Sequence, residues 1–420
     1  MTTTKNNEHK KLNAPNLRFK EFQGEWKESS IGEMFDLYSG NTPSRLNKEH
    51  FKGTVNWISS GELKEHYIYS SKEQISEEAA KSLKLLPVGT FVIAIYGLEA
   101  EGVRGTGSII QEPSTISQAC MSFIPKGVIE NEFLYSWYKK HGNVIGIRYA
   151  QGTKQQNLSY DILENFRIAY PNTKEQEKLN KFISLLDERI ATQNKIIEDL
   201  KKLKSAIVEK VFCSPNQEYP MCRIEGFEQA LSTYKMSDFS SRIATKNKDS
   251  KCSLVLTIAA QYGLVNQESF FNKSVASENL TGYYLLHKGE FAYNRSYSAG
   301  YDWGAVKRLD NYDEGVLSTL YICFKINETI VDSDYLTYYF ESTKWHRGLS
   351  DIAGEGARNH GLLNVSMADY FNTKHRFPVI EEQKAIAKIL NAITEKERKA
   401  TLLGECYQKQ KQYLLRQMFI

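Results

Sequence analysis

The chain has 420 residues, 41% of them hydrophobic and 25% charged, with a net charge of +4 at pH 7. A chain of this length is too long to form one ordinary hydrophobic core and suits two domains with connecting elements. The 25 Tyr, 20 Phe and 5 Trp exclude a disordered chain. No segment of the chain is strongly basic, since the net charge is +1 for residues 1–170, +2 for 171–213, −2 for 214–377 and +3 for 378–420. A DNA-binding interpretation must therefore rest on the local arrangement of residues.

The N-terminal segment is polar and has no apolar core, which predicts a mobile tail at residues 1–15 and neither a signal peptide nor an anchor. No apolar run approaches the roughly 18 residues of a membrane span. Six scattered cysteines form no CxxC pair, and eight histidines show no HxxxH or HExxH spacing. These patterns predict a soluble, reduced, cytoplasmic protein without a disulfide framework or a metal centre.

The first module begins with signals for β-structure. Residues 85–96 predict a turn that leads into a strand, residues 119–124 predict another strand, and residues 131–148 predict a helix. A glycine-rich loop at 102–108 separates the two strands. We interpret it as a hairpin tip rather than a phosphate-binding loop, because no GK[ST] follows and no helix begins there. Arg104 at such a tip could reach the edge of a DNA groove.

Residues 171–213 predict one long helix. Pro171 precedes it, where the fixed φ of proline suits a helix entrance, and Glu175 places a carboxylate near the positive end of the helix dipole. Apolar positions recur at steps of four and three residues, which is the a/d seam of a coiled coil. The seam comprises Leu179, Ile183, Leu186, Ile190, Gln193, Ile197, Leu200, Lys204, Ile207 and Val211.

The second module, residues 214–377, contains a cluster of polar and aromatic side chains at 289–305. Tyr, Asn, Arg, Ser and Trp on a glycine-containing loop are the groups that contacts to base edges and phosphates require. The alternative is that the aromatic residues are core and the polar residues are solvated loop positions. The cluster is equally consistent with both interpretations.

The long-helix pattern recurs at residues 378–420, at a constant offset of 207 residues, behind a module that looks dissimilar to the first. About 38 helical residues would make a rod roughly 57 Å long. The constant length predicts a ruler between two modules, whereas a single copy would equally suit a helix packed on its own domain. Lys204 and Lys411 interrupt both seams at equivalent points, which suits register control or a partner-facing surface. The second seam comprises Ile386, Leu390, Ile393, Glu397, Ala400, Gly404, Tyr407, Lys411, Leu414 and Met418.

The chain resembles the specificity subunit of type I restriction-modification enzymes over nearly its whole length. The duplicated P-x-x-x-E-Q segment, with its helix at 171–212 and 378–419, is the most specific feature of the resemblance. Shorter segments resemble motifs of the family's target-recognition domains. These are SGNTPS at 39–44 with VNWI at 55–58, VGTF at 88–91 with ISQ at 116–118, and KGEF at 288–291 with LSTLY at 317–321.

The resemblance implies an α+β fold with two α/β target-recognition domains, at 16–170 and 214–377, separated by two long helices. The helices, at 171–213 and 378–420, would form an antiparallel coiled coil with a pseudo-two-fold internal repeat. Each domain would read one half of a bipartite site in double-stranded DNA. The helices would set the unread spacer and dock two modification subunits that methylate adenine N6.

The chain has no [DNS]-P-P-[YFW] motif, no S-adenosylmethionine glycine motif and no Walker A lysine. We therefore expect a non-catalytic subunit that binds no cofactor or metal itself. The resemblance places S-adenosylmethionine in the partner methyltransferase subunits, and ATP and Mg in partner restriction subunits, in a bacterial or archaeal cytosol. Two rival interpretations are a methyltransferase or nuclease with drifted motifs, and a two-module scaffold that binds proteins or glycans.

Because the recognition domains are the variable part of this family, individual contacts are predicted here from chemistry and position. In the first domain, the predicted DNA-binding residues are Thr42, Ser44, Arg45, Tyr96, Arg104, Thr106, Ser117, Gln118 and Lys154. In the second domain they are Asn294, Arg295, Ser296, Tyr297, Tyr301, Trp303, Lys307, Ser318, Thr319, Arg358 and His360. The predicted helix and subunit interface comprises Glu175, Gln176, Leu179, Ile183, Leu186, Ile190, Ile197, Leu200, Glu382, Gln383, Ile386, Leu390, Ile393, Tyr407 and Leu414.

Overall fold

The structure is a computed structural model that describes residues 13–100, 102–152, 156–248, 251–273, 279–296, 300–352, 363 and 365–420. The chain forms two compact units. Unit 1 comprises Met1–Asn194 and Leu403–Ile420, and unit 2 comprises Lys195–Leu402. The unit boundaries fall inside the two long helices, so each unit contains a part of both. Among the described residues, no helix combines the length and the apolar composition that crossing a membrane requires.

Unit 1 is built around a five-stranded sheet of order β2-β9-β6-β7-β4, a three-stranded sheet of order β5-β3-β8 and the strand pair β1-β10. Short 3-10 turns lie at Lys48–Phe51 and Ser60–Glu62. In chain order the other elements are β1 (Lys27–Ser30), α1 (Ile31–Met34), β2 (Phe35–Ser39), β3 (Val55–Ile58), β4 (Tyr67–Ile68), β5 (Glu73–Ile75), α2 (Glu77–Ala80), β6 (Phe91–Ala94), β7 (Gly107–Ile110), β8 (Ser114–Ile116), β9 (Cys120–Pro125), α3 (Asn131–Tyr149), α4 (Tyr160–Asn165) and β10 (Arg167–Tyr170).

The elements predicted for this module are confirmed. Strand β6 lies within the predicted region, and β9 begins and ends one residue later than predicted. Helix α3 begins at the predicted residue and ends one residue later. The glycine-rich segment joins β6 to its antiparallel neighbour β7 and is a hairpin connection. Gly89 precedes β6 with a φ of +84°, a conformation that glycine adopts without strain.

A long helix, α5 (Thr173–Val211), follows β10 and leads into unit 2. Unit 2 contains a four-stranded sheet of order β12-β19-β16-β17 and the pairs β11-β20, β13-β14 and β15-β18. Its elements are β11 (Ser232–Lys235), α6 (Met236–Phe239), β12 (Ser240–Arg242), β13 (Leu256–Ala259), β14 (Gly263–Asn266), α7 (Gln267–Phe271), β15 (Tyr284–His287), β16 (Phe291–Asn294), β17 (Ala305–Arg308), β18 (Glu314–Leu317), β19 (Ile322–Ile326), α8 (Ser333–Tyr339), α9 (His346–Ser350), α10 (Met367–Asn372), β20 (Lys374–Phe377) and α11 (Ile380–Met418).

The two modules share one architecture although their sequences look dissimilar, in agreement with the internal repeat that the resemblance implies. The order β12-β19-β16-β17 repeats β2-β9-β6-β7, and the pair β11-β20 repeats β1-β10. A matching aromatic pair marks each central sheet: Phe91 and Phe123 lie 5.5 Å apart between ring centroids, and Phe291 and Phe324 lie 5.4 Å apart. The sequences diverge because many apolar residues satisfy the same core positions.

Both long helices, α5 and α11, contain 39 residues and start and end at an offset of 207 residues. Every residue of both predicted seams is buried or half-buried. In unit 1 the start of α5, with Leu179 and Ile183, shares a core with the end of α11, with Leu415 and Met418. In unit 2 the end of α5 shares a core with the start of α11. The predicted antiparallel pairing of the helices and the α+β fold class are therefore confirmed.

Candidate nucleic-acid interface

In unit 1, three backbone segments that carry predicted DNA-binding residues meet at the ends of the central strands. Asn41 N–H donates to the Ile116 carbonyl at 3.1 Å, and Ile95 N–H donates to the Ala119 carbonyl at 2.9 Å. A Cβ at Gly40 would collide with the Ile116 carbonyl, so this approach of two backbones requires glycine. The structure thus brings the neighbourhoods of Thr42, Tyr96 and Gln118 together.

Several predicted residues at this place are available to a ligand. Ser44 and Gln118 are exposed, Thr42 is half-buried, and Tyr96 is 36% exposed. A hydroxyl, an amide and a phenol group at converging strand ends are suited to hydrogen bonding with base edges and phosphates.

Other predicted residues of unit 1 already have partners in the fold. Arg45 donates two hydrogen bonds to Glu73, at 2.8 and 2.7 Å, and lies over the Phe51 ring. Ser117 is buried, and its hydroxyl accepts a hydrogen bond from Ala119 N–H. Arg104 and Thr106 lie in the connection between β6 and β7. Arg104 donates to the Gln156 side chain at 2.9 Å, and Thr106 donates to the Val103 carbonyl at 2.7 Å.

In unit 2, Arg295 follows β16 and binds two backbone carbonyls. Its Nη1 donates to Val365 at 3.0 Å and its Nη2 donates to Leu320 at 3.2 Å. The Arg295 carbonyl accepts a hydrogen bond from Leu363 N–H at 3.0 Å. The side chain predicted to read a base therefore joins three segments of the candidate interface to one another.

In unit 1, Ile95 occupies the position that corresponds to Arg295 in unit 2. The Ile95 carbonyl accepts from Leu158 N–H at 2.9 Å, as the Arg295 carbonyl accepts from Leu363 N–H. Ile95 itself is 3% exposed and uses its backbone N–H to reach Ala119. In unit 2 the guanidinium of Arg295 makes the corresponding bond, to Leu320. Sequence reasoning missed this role, because the offset of 207 residues that relates the two helices would place Ile95 opposite Asp302 and not opposite Arg295.

The remaining described candidates of unit 2 lie around the same strand ends. Asn294 Oδ1 accepts from Ser296 N–H at 3.0 Å, and Tyr301 donates to the Ala260 carbonyl at 3.2 Å. Burial lowers the pKa of Lys307, which is half-buried and so is poorly placed as a phosphate contact. Trp303 and Ser318 are half-buried, whereas Thr319 is exposed. Lys154, Tyr297, Arg358 and His360 lie outside the described residues.

The predicted interface residues at the helix starts contact their own units. Gln176 accepts from Glu130 N–H at 3.0 Å and donates to the Val128 and Pro171 carbonyls. Gln383 repeats this arrangement, since it accepts from Asp332 N–H at 2.9 Å and donates to the Ile330 and Pro378 carbonyls. Glu175 and Glu382 are also buried, and each binds an arginine that precedes the first strand of its unit. The E-Q pair therefore fixes each helix start to its own domain.

The two lysines that interrupt the seams are ion-paired rather than free. Lys411 pairs with Asp187, and Lys204 pairs with Glu341 at 3.0 Å. Tyr407 of the seam lies under the guanidinium of Arg189, 4.4 Å from the ring centroid. Among the described residues no group of His, Cys, Asp and Glu has an arrangement that could hold a metal ion.

Comparison with known proteins gives a consistent result. Residues 23–202 match the family model described as the type I restriction modification DNA specificity domain. The chain is 28% identical over 194 residues to the type I restriction enzyme MjaIX specificity subunit of Methanocaldococcus jannaschii, covering 45% of this chain and 44% of that protein. It is 32% identical over 191 residues to the EcoR124I/EcoR124II specificity subunit of Escherichia coli, covering 44% and 46%. The match thus spans about half the length of these curated relatives.

Solved structures extend the likeness to the whole chain at the level of fold. The S subunit of a type I restriction-modification system from M. genitalium has a TM-score of 0.55 and 15% identity, with 97% of this chain and 99% of that chain covered. A chain from a type I restriction-modification assembly also has a TM-score of 0.55, at 14% identity, with 93% and 96% covered.

Proposed function

We propose that this chain, a member of the type I restriction-modification specificity (S) subunit family, selects the DNA sequence on which a larger enzyme acts. One observation carries the proposal: each unit places exposed polar side chains at converging strand ends on the same framework. In unit 1 these include Gln118, and in unit 2 they include Thr319. A repeated framework with different exposed side chains suits recognition of two different half-sites.

In this proposal the chain is not the catalyst. The half-sites would be read by unit 1 and unit 2, and two modification subunits would use S-adenosylmethionine to methylate adenine N6. Restriction subunits with ATP and Mg would complete the full enzyme. The nearly neutral charge of the chain supports a need for partners, because phosphate contacts dominate affinity for DNA and require cationic groups.

The domain boundaries belong to the same proposal. Residues 16–170 and 214–377 would be the recognition domains, and 171–213 and 378–420 the repeat helices. The equal length of α5 and α11 supports a role for the helices in setting the distance between half-sites. Because their starts are fixed to their own units by buried Glu and Gln side chains, a change of helix length would be transmitted to the attached domain.

Methylation-sensitive genome sequencing tests the DNA-selecting function. Cells that express the chain with its modification subunits should show one bipartite adenine-methylated motif, which is lost when the chain is deleted. Gln118→Ala should alter one half of the motif, and Thr319→Ala the other half. A motif that persists without the chain, or no motif with it, would overturn the proposal.

Gel shifts at physiological salt test the dependence on partners. Specific binding of a duplex with the full motif is expected for the assembled complex and not for the chain alone. A duplex with one scrambled half-site serves as the control for specificity. Equally tight and specific binding by the chain alone would contradict this part of the proposal.

A further inference from the structure

A polar cluster in unit 1 connects four elements and takes no part in the interface described above. His66 lies just before β4, α3 contributes Glu132 and Tyr135, and the long helices contribute one charged residue each. We call this group the His66 cluster. Its members are His66, Tyr67, Glu132, Tyr135, Asp187 and Lys411.

The imidazole ring of His66 is held between two tyrosines. Its centroid lies 4.0 Å from the Tyr67 ring and 3.9 Å from the Tyr135 ring, with interplanar angles of 10° and 2°. The His66 side chain is 15% exposed. Two stacked neighbours prevent the ring from turning, so the directions of both ring nitrogens are set by the fold.

Each ring nitrogen of His66 faces a carboxylate. Nε2 lies 2.9 Å from Glu132 Oε2, and Nδ1 lies 3.6 Å from Asp187 Oδ2. A neutral imidazole donates from one nitrogen only, whereas an imidazolium donates from both. The position of two acceptors around a fixed ring therefore selects the protonated form.

The carboxylate of Asp187 is stabilised by the positive charge of the protonated His66 ring. One of its carboxylate oxygens pairs with Lys411. The other, Oδ2, is buried and has no hydrogen-bond partner within the described part of the chain, so the nearby His66 ring supplies its main compensation. Loss of the proton from His66 would remove the positive charge beside this buried oxygen and leave Lys411 to compensate the carboxylate, which is costly in a protein interior.

We propose that His66 is a pH-sensitive positioning residue whose protonated ring ties the β4 and α3 part of unit 1 to the segments of both long helices in that unit. The link runs from Glu132 through His66 to Asp187 and on to Lys411. A second step, which rests on the proposed function, is that this link orients the first recognition domain on its helix segments and so makes specific DNA affinity depend on pH.

The direction of the pH effect follows from the His66 surroundings. Burial opposes the charge, but the carboxylates of Asp187 and Glu132 outweigh it and raise the pKa of His66 above its ordinary value of 6.5. A raised folded-state pKa gives stability that is complete below the unfolded-state value and is lost as the pH rises through the folded-state value. The link should therefore weaken above about pH 6.5.

The other titratable groups that face the cluster come from each surrounding element. A cavity of about 590 Å³ beside His66 gives the cluster access to solvent. Burial and the charge of Lys411 lower the pKa of Lys139 to about 8. The contribution of Lys139 to stability therefore changes with pH in the direction opposite to that of His66. Besides the cluster members, the ionisable lining residues are Lys64, Glu65, Tyr69, Lys139 and Glu188.

Unit 2 offers an internal comparison. At the offset of 207 residues, Lys204 corresponds to Lys411 and Thr394 corresponds to Asp187. Lys204 instead pairs with Glu341 at 3.0 Å and lies over the Tyr338 ring. Because Thr394 has no charge to compensate, the same pH dependence is not expected in unit 2.

Hydrogen exchange of the full chain, from pH 6.0 to 9.0 and corrected for the intrinsic rate, tests the proposal. Helix residues 184–191 should open several-fold more at the alkaline end, because the deprotonated His66 ring no longer compensates Asp187. His66→Gln should reduce this change to less than about twofold, and Asp187→Asn should do the same. The exposed His287, 3.9 Å from Glu314 in unit 2, provides the control variant His287→Gln, which should behave as the wild type.

The same pH dependence in the wild type and in both cluster variants would overturn the proposal, as would its absence from the wild type. Should His66→Gln fail to fold, Asp187→Asn and Glu132→Gln preserve side-chain shape and decide the outcome. In the assembled complex, specific DNA affinity should fall several-fold more with rising pH in the wild type than in Asp187→Asn. Absence of specific DNA binding at every pH would count against the proposed function and leave the exchange result intact.

Discussion

Arg18 and Glu175 form a bidentate ion pair, in which Nε and Nη2 of the arginine each donate to a carboxylate oxygen at 2.7 Å. The glutamate side chain is 1% exposed. Arg223 and Glu382 repeat the pair in unit 2, at 3.1 and 2.5 Å. In each unit the pair ties the segment before the first strand to the start of a long helix.

Glu175→Ala should destabilise the chain by about 3–5 kcal/mol, because it leaves the charge of a largely buried arginine unpaired. Calorimetry should show the loss as a lower unfolding temperature. Glu188→Ala, which removes an exposed carboxylate from the same helix, is the matched control and should change stability by less than about 0.5 kcal/mol. Equal losses of stability from the two substitutions would show that the buried ion pair contributes no more to stability than the exposed carboxylate does.

Under the proposed function, Arg295→Ala should impair recognition of the second half-site as a whole, because the two lost bonds hold the Leu320 and Val365 segments in place. Hydrogen bonds from a charged group contribute about 1.5–3 kcal/mol each. Methylome sequencing should show weaker methylation at every position of that half-site and an unchanged first half-site. Relaxation at a single base would instead identify Arg295 as a direct reader, with each good bidentate contact contributing about 1–3 kcal/mol.

Insertion of four residues after Leu200 should lengthen α5 by roughly 6 Å, which is close to two base pairs at about 3.4 Å each. Four residues make approximately one helical turn, so the seam is nearly preserved. Under the proposed function, the complex of this variant with its modification subunits should methylate both original half-sites with a spacer longer by one or two base pairs. An insertion that leaves folding, assembly and the original spacer unchanged would show that the helices are packing elements and do not set the spacer length.

Lys139→Met should remove a rise in stability at alkaline pH. Burial and the neighbouring charge of Lys411 lower the pKa of Lys139 to about 8, whereas an unfolded lysine titrates near 10.4. Between these values the unfolded state binds more protons, so the contribution of Lys139 to stability rises with pH, opposite in direction to the contribution of His66. Unfolding measurements at pH 8 to 10 should show that the stability of the wild type rises relative to that of Lys139→Met. The same pH dependence in both proteins would exclude Lys139 as a source of such a rise.

Much of the fold was determined by local sequence. The helix α3 and both long helices could be predicted because turn residues and apolar spacing act over a few neighbouring positions. The seams of α5 and α11 were predicted residue by residue, since the period of a helix decides which side chains share a face. The constant offset of 207 residues also indicates, from the sequence by itself, that the two helices are equal in length.

The tertiary structure decided which polar side chains remain free for a ligand. Arg45 and Arg295 have the right chemistry for DNA, yet both have partners within the fold, whereas Gln118 and Thr319 remain exposed. Similarly, Arg18 and Glu175 are 157 positions apart in the sequence and His66 and Asp187 are 121 positions apart, and no local signal indicates either contact. Such pairs form only when packing brings distant segments together, because a side chain's partners depend on the position of its backbone in space and not on its neighbours along the chain.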